Sequence, residues 1–260
     1  MNNNEIIKVE NITKSFRLSA KQRKVRKLTE SRIIAVNGLS FSAFEGEIFG
    51  LLGPNGAGKT TTLRVLSTIL KPDGGNAYID GKSVIGEPFE VRRRIGFLTS
   101  EVKLEEFFTP DYLFDFFCNM HGVDDEKRIS RKQELFERFG IDKFAFTKVA
   151  DLSTGMKQKV SLVTAVAHDP KVVIFDEPTN GLDVITAKVV TDFLTQLRMQ
   201  GKTVIISTHI FSLIEKVCDR VGIINDGKMV MCGELSELTK SESLEDLFFR
   251  LYNEKGGETQ

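Results

Sequence analysis

Gly53-Pro54-Asn55-Gly56-Ala57-Gly58-Lys59-Thr60 has the spacing of a loop that holds phosphate groups. Its glycines let the backbone curl until successive N–H groups face inward toward anionic oxygens. Lys59 is placed to reach the β- and γ-phosphates of a nucleotide, and the Thr60 hydroxyl to coordinate Mg²⁺. Thr61 continues the same turn into a helix whose N-terminal dipole favours an anion. A second cluster, Lys171-Val172-Val173-Ile174-Phe175-Asp176-Glu177, delivers two acids at the end of an apolar run. Asp176 is placed to hold Mg²⁺, directly or through a water. Glu177 is placed to orient or deprotonate an attacking water. A third, Leu152-Ser153-Thr154-Gly155-Met156, opens a helix with Ser153 as its N-cap, and that helix start is another potential anion site.

The first two clusters need strands to aim them. Residues 47–52 form a short apolar run ending at the loop, suited to a buried parallel strand. After the loop, Leu63, Leu66, Ile69 and Leu70 fall on one helical face, and Lys71-Pro72-Asp73-Gly74-Gly75 stops the helix. Strands are predicted at 6–9, around 33–36, at 172–175 and at 204–207, with residues 77–98 as short strands and turns. Helical spacing runs over 111–120 and 127–139, and again from 233 to 251; residues 255–260 should fray. Alternating strands and helices argue for a mainly parallel α/β sheet. Eleven of the 20 phenylalanines lie in residues 89–146, which marks an inserted helical subdomain at about 101–155. The boundaries drawn are 5–235 for the main domain and 236–260 for a helical tail.

Composition closes off other classes. The 36 basic and 36 acidic residues cancel, which argues against bulk binding of nucleic acid. No apolar run approaches the ~20 residues of a membrane helix, and the first residues lack a secretory signal pattern. Cys118, Cys218 and Cys232 are far apart, form no metal-spaced set and suit a reducing compartment. One local bias stands out: seven basic residues and one acid between positions 17 and 32. Such a run is a solvated loop or, as the functional alternative, a contact for anionic lipid headgroups.

Taken in order, the phosphate loop, the 152–156 segment, the acidic pair, the turn Asn180-Gly181-Leu182-Asp183 and His209 after the next strand resemble the ATP-binding subunits of ABC transporters over nearly the whole chain. The stretch GLLGPNGAGKTTTLRVLSTILKPDGG and the tail motif Ser243-Leu244-Glu245-Asp246-Leu247-Phe248 are most similar to sodium-extrusion (NatA-like) and drug-export ATPases that serve ABC-2-type permeases. The resemblance implies a phosphate-loop NTPase core of the RecA-like kind, an antiparallel β portion and the inserted α-helical subdomain. It implies an ATPase using ATP and Mg²⁺, peripheral on the cytoplasmic face of the membrane, driving a separate integral membrane permease, with export of a sodium or drug type. It further implies an ATP-dependent homodimer, or a heterodimer with a similar subunit, and no nucleic-acid partner. In such a head-to-tail dimer Ser153 and Gly155 would contact the γ-phosphate bound by the other copy, Asp183 would support the dimer contact, and His209 would sense or hold the γ-phosphate. Phe16 falls where the family stacks a ring under adenine; the alternative is a core phenylalanine. A soluble ABC ATPase of translation or DNA maintenance is the rival class, and a single cassette without a heptad arm speaks against it.

Two departures from the family pattern are visible. Thr154 and Met156 replace a glycine and a glutamine of the usual signature, so the contact across the dimer needs Thr154 at negative φ and has one amide donor fewer. Thr99-Ser100-Glu101 stands where the family places a metal-binding glutamine. Ser100 occupies that place and could ligate Mg²⁺ through water, or Glu101 could substitute. The rings Phe107, Phe108, Phe114, Phe116 and Phe117 are read either as the subdomain's own core or as lining for a permease helix.

Overall fold

The computed structural model describes residues 4–19, 23, 31–99 and 104–256. In chain order the elements are β1 (Glu5–Arg17), β2 (Arg32–Phe44), β3 (Ile48–Leu52), α1 (Lys59–Leu66), β4 (Gly74–Ile79), β5 (Lys82–Ser83), α2 (Pro88–Arg94) and β6 (Ile95–Leu98). The helices α3 (Pro110–Met120), α4 (Asp125–Phe139) and α5 (Thr154–Ala165) follow. The remainder is β7 (Val172–Asp176), α6 (Val184–Met199), β8 (Thr203–Thr208), α7 (Phe211–Val217), β9 (Arg220–Asn225), β10 (Lys228–Glu234), α8 (Leu235–Leu238) and α9 (Leu244–Gly256).

The strands form two sheets. One is antiparallel, in the order β2-β1-β4-β5; the other has six strands in the order β10-β9-β3-β8-β7-β6. The six-stranded sheet is parallel from β9 through β6, and β10 alone pairs antiparallel. Every residue of β3, β7 and β8 is buried. Burial on both faces is why their apolar residues come in runs rather than in alternation. Side-chain alternation then splits each strand between two cores. Phe49, Leu51, Ile174 and Ile205 face a core shared with β1, β2 and α1. Ile48, Leu52, Val173, Phe175, Val204 and Ile206 face the core shared with the helices. The sheet is thereby clamped on both sides, and its carboxyl edge is held rigid where the site lies.

The helical subdomain is built from clear stop and start signals. Thr109 caps α3, with Pro110 as its first residue, and Asp124 caps α4, which ends at Gly140 with φ 65°. Phe114 lies edge-on to Phe136 at 5.6 Å, and Phe139 edge-on to Phe193 of α6 at 5.0 Å. These rings hold the subdomain together and fasten it to the main core.

Several expectations change. The strands foreseen at 6–9 and 33–36 are the opening parts of two 13-residue strands. Residues 88–94, expected as strands and turns, form α2, started by Pro88. The helix foreseen from 233 starts later: residues 228–234 are strand, because Asp226-Gly227 at φ 47° and 74° folds β9 back onto β10. Lys255 and Gly256 belong to α9, and residues 257–260 lie outside the described residues.

Candidate active site

The loop between β3 and α1 is pinned from two directions. A Cβ on Gly53 would lie 2.4 Å from the Ile224 carbonyl oxygen of β9. One on Gly58 would lie 2.3 Å from the Ala35 oxygen of β2, and Gly58 has φ 105° besides. Only glycine fits either position. Gly227 N–H donates to the Ala57 carbonyl at 2.9 Å, so the β9–β10 turn braces the loop from below. Lys59 is buried at 5% exposure. Its Nζ donates to the carbonyl oxygens of Gly53 (2.6 Å) and Pro54 (3.2 Å) and lies 3.4 Å from Glu177 Oε1. The ammonium is thus suspended over the loop's own mouth.

At the ends of β7 and β8 a second network forms. Thr60 Oγ1 donates to Asp176 Oδ1 at 3.1 Å, and Ser207 Oγ donates to the same oxygen. The other oxygen, Asp176 Oδ2, is buried without a partner, on a side chain 1% exposed. A buried carboxylate oxygen without a donor is costly, and a hard cation relieves that cost. The Thr60 hydroxyl beside it adds a second oxygen donor of the kind Mg²⁺ takes. Among the described residues no three His, Cys, Asp or Glu side chains gather as metal donors.

Glu177 adopts φ 51°, a costly conformation for a residue with a side chain, of order 1–3 kcal/mol. Its N–H donates to the Ser207 carbonyl at 3.1 Å, which helps to hold the turn. His209 Nδ1 sits 3.1 Å from both Glu177 oxygens. Lys59, Glu177 and His209 therefore form one continuous chain of contacts above the paired Thr60 and Asp176.

Lys59, Thr60, Glu177 and His209 line a cavity of about 900 Å³, together with Pro54, Asn55, Gly56, Thr61 and Asn180. Phe16, 37% exposed, lines the same cavity with Arg17, Leu18, Ile33 and Ile34. Lys14 Nζ approaches the Phe16 ring at 5.8 Å. The end of β1 is fastened by Asp73, which accepts from the Ser15 N–H (2.7 Å), the Ser15 hydroxyl (2.7 Å) and Lys14 Nζ (3.0 Å). Led by the Ser15 hydroxyl, these donors hold the Asp73 carboxyl at about 2.

Ser153, Gly155 and Asp183 do not line this cavity. Ser153 caps α5 by accepting from Met156 N–H at 3.3 Å, and is exposed. A Cβ on Gly155 would meet nothing within 4 Å. Thr154 is the first residue of α5 and is not among the residues at positive φ, as donation from its N–H requires. Asp183 caps α6 through Ile185 N–H and Thr186 N–H, both at 3.0 Å, and through the Thr186 hydroxyl at 2.8 Å. The Thr186 amide leads these contacts in holding the Asp183 carboxyl below the usual range.

Ser100 and Glu101 lie outside the described residues, as does most of the basic 17–32 stretch. The aromatic cluster divides. Phe114 is core, while Phe107, Phe108, Tyr112 and Phe116 form a ladder of ring contacts running to a half-exposed Phe116. Two contributors escaped the sequence reading. Ser207 faces Asp176 across β7 and β8, so a polar residue inside an apolar strand was its signal. Asp73 had only the look of a helix-stopping turn.

Residues 36–180 match the family described as ABC transporter. The chain is 37% identical over 214 residues to the ABC transporter ATP-binding protein NatA of Bacillus subtilis, covering 82% of this chain and 87% of that one. It is also 37% identical to Nod factor export ATP-binding protein I of Burkholderia orbicola, over 80% of this chain and 69% of that one. Among solved structures, an ATP-binding subunit of an ABC transporter superposes with TM-score 0.83 at 25% identity, covering 95% of this chain and 99% of that one. A dimeric ATP-binding cassette in a post-hydrolysis state with ADP and Pi superposes with TM-score 0.75 at 27% identity, covering 88% and 98%.

Proposed function

Because the chain belongs to the ABC transporter family as an ATP-binding, ATPase subunit, we propose that it drives a separate ABC-2-type permease, working as an exporter of the sodium or drug type. The observation that carries the ATP chemistry is the contact chain Lys59–Glu177–His209 above the orphaned Asp176 oxygen. The export reading draws on the names of the relatives, one of which is a Nod factor export protein.

Phe16 stacks on adenine, an interaction of roughly 1–3 kcal/mol. The backbone N–H groups of residues 53–61 and the start of α1 receive the phosphates, and Lys59 turns from its loop carbonyls to the β- and γ-phosphates. Thr60 and Asp176 would hold Mg²⁺. Bound there, the ion would neutralise charge between the phosphates. Glu177 orients the attacking water or takes its proton, and His209 steadies the Glu177 carboxylate and meets the γ-phosphate. Ser153 and Gly155 of a second copy close the site from above, and Asp183 supports that contact. Opening and closing of the dimer is then what the permease feels. No helix among the described residues is long and apolar enough to cross a membrane. Attachment to the cytoplasmic face would come through the permease, with the exposed rings of Phe107, Tyr112 and Phe116 as the contact offered to it.

The test is capture. Tagged Glu177→Gln protein, held closed with MgATP, is used to recover partners from detergent-solubilised native membranes. Recovery of a multi-span membrane protein is expected. Recovery of soluble partners alone would contradict the transporter assignment.

A further inference from the structure

The tail segment 243–248 plays no part in the site described above, yet it is built with care. The Ser243 hydroxyl accepts from Asp246 N–H at 3.1 Å and donates to the Asp246 carboxylate at 2.7 Å, fixing the start of α9. Leu244 and Leu247 are buried in the helix-side core, and Phe248 and Leu251 pack beside them. That is the i, i+3, i+4, i+7 face of one amphipathic helix. From this face Phe248 meets Phe211 nearly edge-on, with ring centroids 5.2 Å apart and planes at 71°. Phe249 approaches the same ring at 6.3 Å, and Tyr252 stacks on Phe248 at 6.2 Å.

Phe211 is the first residue of α7, and His209 stands two residues before it. Helix α7 has only seven residues, and its N-cap, Ile210, offers no side-chain acceptor. A helix so short is unstable by itself, so packing must hold it. Locally the turn is tied by Ile210 N–H donating to Thr208 Oγ1 at 3.1 Å. The His209 side chain is 42% exposed and meets the Glu177 carboxylate on its inner side. Its position is therefore set by the backbone between β8 and α7, and the first ring of α7 is gripped by the tail.

We propose that α9 is a positioning element for hydrolysis: Phe248, acting through Phe211, fixes the start of α7 and so holds His209 within reach of Glu177. The proposal rests on the hydrolytic roles given above to those two residues. Phe248 touches neither nucleotide nor the reacting atoms and acts only through its neighbour.

The experiment uses the full chain with Phe248→Ala and the milder Phe248→Leu, each in wild-type and His209→Ala backgrounds. Steady-state MgATP hydrolysis gives kcat and KM separately, and thermal unfolding checks the fold. A small misplacement of a catalytic group costs up to about 100-fold, so kcat should fall about tenfold in Phe248→Ala with KM within about twofold. Phe248→Leu, which keeps the apolar contact, should fall between. With His209→Ala already present, Phe248→Ala should change kcat no further, because the two act as one unit. An unchanged kcat, or an equal loss in both backgrounds, would overturn the proposal while leaving the site assignment standing. A wild-type chain that binds ATP without hydrolysing it would overturn the site assignment and the proposal together.

Discussion

The starts of α1 and α5 are the two helix N-termini to which the proposed function gives a phosphate, and they are made in opposite ways. The α1 start is interlocked. Its N-cap, Gly58, has no side-chain cap and is hemmed in by Ala35 and Gly227, and Lys59 is buried against loop carbonyls and Glu177. The α5 start is self-sufficient and open. Ser153 caps it, Ser153 and Thr154 are exposed, and Gly155 has empty space where a side chain would be. Glycine at 58 has a reason within the chain. Glycine at 155 has none, neither a positive φ nor a crowded Cβ. Under the proposed function, the interlocked start is the half of the nucleotide site built within one chain, and the open start is the half offered to a second copy.

The largest effect should come from the interlocked half. Glu177→Gln should lower ATP turnover by roughly 10²–10⁴-fold while keeping ATP affinity, since it removes a base and not a phosphate contact. Single-turnover hydrolysis beside equilibrium nucleotide binding measures both; turnover at the wild-type rate would remove Glu177 from the role. Lys59→Ala should weaken nucleotide binding about 10- to 100-fold, the worth of hydrogen bonds to a charged group. Titration with a fluorescent ATP analogue reads it. In the open half, Gly155→Leu should leave the fold and ATP binding by the monomer untouched. A side chain forced into a packed contact costs about 1–3 kcal/mol, so the ATP-dependent dimer should weaken several-fold or more. Sedimentation with and without MgATP separates the two; an unaltered dimer would break the comparison. The smallest effect concerns Asp73. Its folded carboxyl sits near 2, below the ordinary 3.8, so its contribution is full above the ordinary value and is lost as pH falls toward 2. Asp73→Asn should flatten that part of the acid-unfolding curve and weaken ATP binding less than Phe16→Ala does.

The residues of the interlocked half were legible because they are close in sequence or end an apolar run. The 53–60 pattern, the strand before it and the acid pair after β7 each carry their own local signal. His209 was found by its place after β8. Ser207 was not, because its meaning depends on the β7–β8 register, which no local pattern reveals. The fold was legible where one periodicity runs unbroken, as in α3 and α4. It was misread where elements are short or hinge on a turn. Helix α2 has seven residues, and the β9–β10 hairpin announces itself only through Asp226-Gly227 between two modest apolar runs. The long β1–β2 hairpin was seen only at its most apolar positions, since bulges interrupt its alternation.

The claim that the two halves meet across two chains is tested most directly by mixing two crippled variants. Lys59→Ala lacks a working phosphate loop but carries an intact α5 start. Gly155→Leu carries the reverse. Each alone should show little MgATP hydrolysis. Mixed, they form heterodimers in which one composite site has both Lys59 and Gly155, and hydrolysis should reappear in proportion to the heterodimer present. If the heterodimer forms and hydrolysis stays at the level of the separate variants, the two helix starts do not share a nucleotide.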